Sequence, residues 1–566
     1  MKNRLYRSLA DSFRLDFYLP ESPLINPPAV TYAADANLAA VMALPTPPQA
    51  VLMDVTDALT VLAPDGSAVG TLDDCLRALN RRAYPILRFT SAEAGAAIAA
   101  YADANCLGDL TLCVPYADRA LLPAVRAALP LSRGMLDCRG MTLPDGQLTP
   151  VGQCQAHDAT MLLMDRLPSR AALRSLQKRF IQVWIDADPT DALFAGACGI
   201  ITREPAALYA LIARLPARST VRPTPLYAHK GLHITEEFPE NSIKAAVGAG
   251  MRGYDAAEID ITLTKDEVAI VQHDPTTKKL FDRDLTVTES IFAELSTLRR
   301  KGFPEDSLDR FDDLMVAMKA YRETPVLIEL KTPAASFGTE ELIAQMADLL
   351  ARPDVQQYCT CIMGVKPPYL AYVHKHLPRL PLSHCVGKLG DPPTDTDGLN
   401  LMIYRFAEET KGANAGYNPD HPSISASFAR IAHLRGITVF PWGWAFKPWE
   451  TECAPLSAAF AAGYDGLTTD WVTKFADFPV DLIPTLPSRI PAGLPVAPTG
   501  KLLSRTGEKK DAYGLTIIPL SGDVTVRDDG LFTGSGRVKV ALTYRGILPD
   551  GEPLCLCSEP ATVEFA

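Results

Sequence analysis

No run of about 18 apolar residues occurs anywhere in the 566-residue chain, so no membrane-crossing helix is expected. Positive charge is also in short supply. Lysine and arginine number 55 against 66 aspartate and glutamate, a net charge of −11. That balance argues against nucleic acid as a partner, because such binding draws on clustered basic residues. The N-terminus, MKNRLYRSLADSFRLDFYLPES, has basic residues but no continuous apolar core, so it does not read as a secretory signal, and a cytoplasmic location is expected. The 12 cysteines include no C-x-x-C pair. Cys359 and Cys361, like Cys555 and Cys557, are one residue apart, which suits neighbouring strand positions better than zinc ligation. Reduced, buried thiols follow from that reading.

What is present is ordinary for a folded protein: 47% hydrophobic and 21% charged residues. At roughly 150 residues per domain the length suggests three or four domains. Residues 1–45 are Pro-rich (LINPP, ALPTPP) and read as an irregular leader. From 46 to 222, short apolar runs such as AVLMDV, PILRF, LTLCVP and IQVWID alternate with Ala- and Leu-rich stretches. Strand alternating with helix implies a parallel sheet with crossover helices. Residues 223–478 repeat that alternation, with strands expected at CIMGV (361–365), RLPLSH (379–384), LNLMIY (399–404), ITVFPW (437–442) and GLTTD (466–470). A helix is expected over TESIFAELSTLRR, with a start signal at Thr288. Six prolines mark 479–500 as a semi-rigid linker. Residues 501–566 show short alternating runs between Gly and Asp, as in a small β-sandwich-like domain.

The chemistry gathers between His229 and Lys331. In the run AAEIDI, Glu258 and Asp260 share one strand face, since alternate side chains of a strand point the same way. VAIVQHD ends in His273 and Asp274, and VLIELK places Glu329 and Lys331 on one face. His229 follows the short run PLYA. Polar, ionisable residues at the ends of several apolar strands are the pattern of a parallel barrel with its site at the C-terminal mouth.

These pieces, taken in order, resemble the glycerophosphodiester phosphodiesterase family: HKG (229–231), PENS (239–242), EID (258–260), TKD (264–266), HD (273–274), ELK (329–331) and the tail AAGYDGLTTDW (461–471). The resemblance implies a (β/α)8 TIM-type barrel over 223–478 that cleaves a small glycerophosphodiester to glycerol 3-phosphate and an alcohol. It implies His229 and His273 as the acid–base pair. Glu258, Asp260 and Glu329 form an all-oxygen set suited to a hard divalent cation, Ca²⁺ or Mg²⁺, and an anionic diester needs such a cation to approach three carboxylates. Lys230 and Lys331 add positive charge for the phosphate, Asn241 supports the site, and Trp442 stands near a tryptophan of the family. One position departs: Lys230 replaces an arginine, which keeps the charge but loses the bidentate fork. His233 reads as a loop residue, and His374 and His376 as an exposed helix end. A noncatalytic protein that keeps the barrel and binds a glycan or glycerol-phosphate polymer is the competing reading. Oligomeric state is not legible.

The first half echoes the second. VLMDVT (51–56) parallels EIDIT (258–262), with Leu52 in the place of Glu258 and Asp54 in that of Asp260. GACGIITREP (196–205) parallels GYDGLTTDWV (463–472), and VWID (183–186) stands in the relative place of the Trp442 run. No His-Lys-Gly precedes VLMDVT, no His-Asp follows it in the corresponding place, and no Glu-x-Lys is visible in that copy. A degenerate, noncatalytic barrel or partial barrel is expected, with an unrelated α/β domain as the alternative.

Overall fold

The computed structural model describes residues 4–141, 148–235, 237–331, 339–352, 359–364, 367–388, 390–411, 413, 415–445 and 447–566. Its first half is a complete barrel. Eight parallel strands, Ala29–Ala33, Ala50–Val55, Tyr84–Arg88, Thr111–Pro115, Arg133–Asp137, Met161–Met164, Gln182–Ile185 and Gly199–Ile201, follow one another around the ring. Ala29–Ala33 closes it by pairing with both the second and the last of them. The stretch expected to be an irregular leader therefore supplies the first strand. Pro27 and Pro28 directly precede AVTYA but leave its own N–H groups free to pair, so they punctuate the strand without breaking it.

A second ring of eight parallel strands follows: Leu226–Ala228, Ala256–Leu263, Val326–Leu330, Cys359–Gly364, Leu382–Val386, Ala415–Pro419, Trp442–Trp444 and Leu467–Thr469. Parallel bridges Tyr417–Val439 and Asp420–Trp442 complete the circle. Two sequence expectations fail here. LNLMIY is not a strand but lies in the helix Thr396–Thr410, whose first turn is capped by Asp395 accepting from the Gly398 N–H. The strand in that part of the ring is AGYNP, whose small residues and proline carry little strand propensity. The helix expected over TESIFAELSTLRR shortens to one turn of 3₁₀ helix and one of α-helix.

The two barrels are stacked base to base. Arg133 and Gln182 each begin a strand of the first barrel; Arg133 donates to the carbonyls of Ala415 and Gly436, and Gln182 to that of Ile437. Tyr227, in the first strand of the second barrel, donates to the Lys178 carbonyl, and Arg435 forms a fully buried pair with Asp109 (2.6 Å). These groups lie in the first residues of strands or in the segments that lead into them, so the two C-terminal mouths open in opposite directions. His374 likewise crosses to Asp158 (2.7 Å), so it is a contact between barrels and not an exposed helix end.

Part of the supposed linker is also folded. Asp481–Pro484 pairs with Gly500–Leu503, and Arg489–Ile490 with Ala561–Phe565. The C-terminal region packs a three-stranded sheet on a six-stranded one through Leu482, Leu502, Leu542 and Leu556. The ten described cysteines are free thiols, most of them buried. No described helix is long and apolar enough to cross a membrane.

Candidate active site

The mouth of the second barrel collects the acidic residues singled out in the sequence. Glu258 and Asp260 both point inward from Ala256–Leu263, and the register places Asp260 directly opposite Glu329 on the neighbouring strand. One oxygen of each of the three carboxylates lies within 4.8 Å of the others. Among the described residues, two buried oxygens, Glu258 Oε1 and Asp260 Oδ2, find no hydrogen-bond partner. Orphaned buried carboxylate oxygens are costly unless something positive meets them. Burial, then the neighbouring Asp260 and Glu329, pushes the Glu258 carboxyl well above the usual range. A compact, all-oxygen donor set with unmet negative charge fits Ca²⁺ or Mg²⁺.

Lys331 leans into the same cluster, 3.1 Å from Asp260 and bonded to Glu329. Burial disfavours its charge, but Asp260 and Glu329 outweigh that and raise its ammonium above the ordinary lysine range. Lys230 is turned elsewhere: its ammonium bonds Glu240 (2.8 Å), which also binds Lys279 (2.9 Å). Its backbone N–H still serves the site, donating to Glu258 Oε2 at 2.8 Å. That donation depends on the tight HKG turn. Gly231 has φ +75°, and a Cβ there would lie 2.6 Å from the Ala245 carbonyl carbon.

Asn241 clamps Asp260 from behind. Its side-chain oxygen accepts from the Asp260 N–H (3.0 Å) and its amide donates to the Asp260 carbonyl (3.3 Å). Asn241 holds φ +50°, a conformation asparagine tolerates better than most residues. Trp442 donates its indole N–H to the Val386 carbonyl and packs, partly buried, against the barrel's inner cluster, which includes Cys385 and Phe440.

Each predicted histidine is held by a carboxylate through Nδ1. His273 meets Asp274 at 2.6 Å. His229 meets Asp470 at 2.8 Å, and the same Asp470 oxygen binds His233 Nε2 at 3.1 Å. Burial alone would raise the Asp470 carboxyl; the two imidazole contacts hold it at about 2 instead. His233, read from the sequence as a loop residue, thus belongs to the site. So does Asp470, whose signal was in plain view: it stands just past Leu467–Thr469, where a barrel strand delivers functional groups. Backbone bonds tie these elements together, since the Gln272 N–H, one residue before His273, donates to the Asp260 carbonyl.

Residues 229–474 match the Glycerophosphoryl diester phosphodiesterase family. Among solved structures, similarity is found to a glycerophosphodiester phosphodiesterase from Parabacteroides distasonis (18% identity, 44% of this chain and 93% of that one, TM-score 0.35). An Oleispira antarctica phosphodiesterase in complex with the product sn-glycerol-3-phosphate is similar at 17% identity, over 44% of this chain and 94% of that one, TM-score 0.35. A Thermotoga maritima glycerophosphodiester phosphodiesterase gives 16%, 44%, 94% and 0.31. The second barrel of the chain, residues 229–474, belongs to the glycerophosphoryl diester phosphodiesterase family.

Proposed function

We propose that the second barrel hydrolyses a glycerophosphodiester to glycerol 3-phosphate and an alcohol with the help of a divalent cation, Ca²⁺ or Mg²⁺. The observation that supports this most is the meeting of three carboxylates, two with unpartnered buried oxygens, and two carboxylate-held imidazoles at one barrel mouth. Glu258, Asp260 and Glu329 would hold the cation, which when bound neutralises phosphoryl oxygens and polarises the phosphorus centre. Lys331 supplies a further positive charge for the diester, between Asp260 and Glu329.

His229 and His273 share the two proton transfers. One takes the proton of the attacking oxygen, either water or the glycerol hydroxyl next to the phosphate, which would close a cyclic phosphate that water then opens to glycerol 3-phosphate. The other gives a proton to the departing alkoxide as the P–O bond breaks. Asp470 and Asp274 occupy Nδ1 of the two rings, so exchange with the substrate falls to Nε2. Asn241 keeps Asp260 in place, and Trp442 walls the side of the mouth.

The test is direct. Purified protein is given glycerophosphocholine, glycerophosphoethanolamine and glycerophosphoinositol with Ca²⁺ or Mg²⁺, and glycerol 3-phosphate is followed with and without EDTA. Release that EDTA stops and that His273→Ala abolishes, in a variant that still melts cooperatively, supports the reading. No release from any diester favours the binding-protein reading, and full turnover in His273→Ala refutes the acid–base assignment.

A further inference from the structure

The first barrel keeps the outline of that site with its charges exchanged. In the second barrel, Asp260 stands opposite Glu329; in the first, Asp54 stands opposite Arg88. Ala228 pairs with Ala257, which puts His229 opposite Glu258; in the first barrel Ala33 is opposite Leu52. Position for position, histidine has become Ala33, one glutamate Leu52, the other Arg88, and only the aspartate, Asp54, survives. Among the described residues the groups able to hold a metal lie in the second barrel. A cavity of about 240 Å³ opens where the side chains have shrunk, lined by Ala33, Ala34, Leu52, Asp54, Arg88 and Arg139 among others.

Its polar groups are set in alternating charge. Arg88 binds Asp137 (2.7 Å) and Asp54 (3.0 Å), and Arg139 binds Asp137 (2.9 Å) and Asp186 (2.8 Å). Among the described residues no protein group bonds Arg88 Nη2, and the Asp54 side chain is 34% exposed. A bare anion entering here would meet guanidinium donors and carboxylates together. A molecule carrying both signs satisfies both. The cavity is smaller than the roughly 300–1,000 Å³ of drug-sized pockets, so the ligand must be small.

We propose that the mouth of the first barrel is a metal-independent binding site for a small zwitterionic organic phosphate, held by Arg88 and Arg139 at its phosphate and by Asp54 at its cationic end. Guanidinium replaces the cation of the second barrel as the phosphate's counter-charge. With alanine in the place of the first histidine, no imidazole stands there to move a proton, so the ligand is bound and released whole.

Calorimetric titration of the full chain with glycerophosphoethanolamine in excess EDTA tests this, with ³¹P spectra confirming that the ligand stays intact. EDTA silences any cation-dependent site in the second barrel, so the outcome does not depend on whether that barrel is an enzyme. Saturable binding is expected, weakened at least about tenfold by Arg88→Gln and unchanged by Glu258→Gln. Because Arg88→Gln also breaks two ion pairs, Ala33→Leu is the second variant: it fills the cavity, leaves the pairs intact, and is expected to abolish binding. Absence of binding, binding unchanged in both first-barrel variants, or loss of binding in Glu258→Gln overturns the proposal. So does inorganic phosphate binding as tightly as the zwitterion.

Discussion

The ring of Phe180, carried by the first barrel, lies 4.0 Å centroid to centroid from that of Phe440 in the second. Phe180 is 1% exposed and packs with Tyr227, Ala256, Leu327 and Met363, residues of four different strands of the second barrel. The lower core of that barrel is therefore finished by a side chain from outside it. Phe180 accepts φ +67° to get there, a backbone state that is costly for a bulky residue. Phe180→Ala is expected to destabilise the whole chain by about 3–5 kcal/mol, read as a shift of the urea midpoint. A change under about 1 kcal/mol would mean that the floor closes without it.

Asp470 binds two imidazoles with one oxygen, and only one of them belongs to the proposed proton-transfer pair. Asp470→Asn keeps the shape and removes the charge. Turnover of a glycerophosphodiester should fall by about 100-fold, the lower end of what a positioned acid or base contributes, with the thermal melt little changed. His233→Gln should cost much less. Equal losses in the two variants would show that His233, and not the Asp470–His229 contact, carries the effect.

Glu258 brings an unpartnered buried oxygen to the acidic cluster. Glu258→Gln replaces one anionic ligand by a neutral one. The Ca²⁺ or Mg²⁺ concentration for half-maximal turnover should rise by about tenfold or more, while the fold changes little, because burial already favours the uncharged form of that carboxyl. An unchanged metal titration would remove Glu258 from the ligand set.

Glu240 predicts a pH dependence of stability. Burial would raise its carboxyl, but the Lys230 ammonium, aided by Lys279, holds it at about 2, below the ordinary glutamate value. A carboxyl depressed on folding binds fewer protons in the native state than in the unfolded one. Its stabilisation is therefore complete above the unfolded value and drains away as pH falls towards the folded one. Unfolding free energy should decline between about pH 5 and about pH 2, and Glu240→Gln should flatten that decline. An equal slope in the variant would assign it to other carboxylates.

Much of this was legible in advance because barrel strands write their function at their ends. Glu258, Asp260 and Glu329 sit in apolar runs that no solvated edge would use, and the echo between VLMDVT and EIDIT foretold the N-terminal ring. Proline misled twice. It was read as the mark of a leader and of a linker, yet AVTYA and the DLIP strand pair between or beside prolines that need no N–H of their own. AGYNP escaped because buried parallel strands need only fit their neighbours, and the apolar LNLMIY beside it looked the better strand. The pairing of His229, His233 and Asp470 spans more than two hundred residues of chain, and no local pattern encodes such a meeting.

The back-to-back stacking of the rings decides what the two halves can say to each other. Among the described residues, the Phe180–Phe440 contact and the buried Arg435–Asp109 pair occupy the seam that separates the two openings. A mechanical message from one opening to the other would have to cross that packed seam.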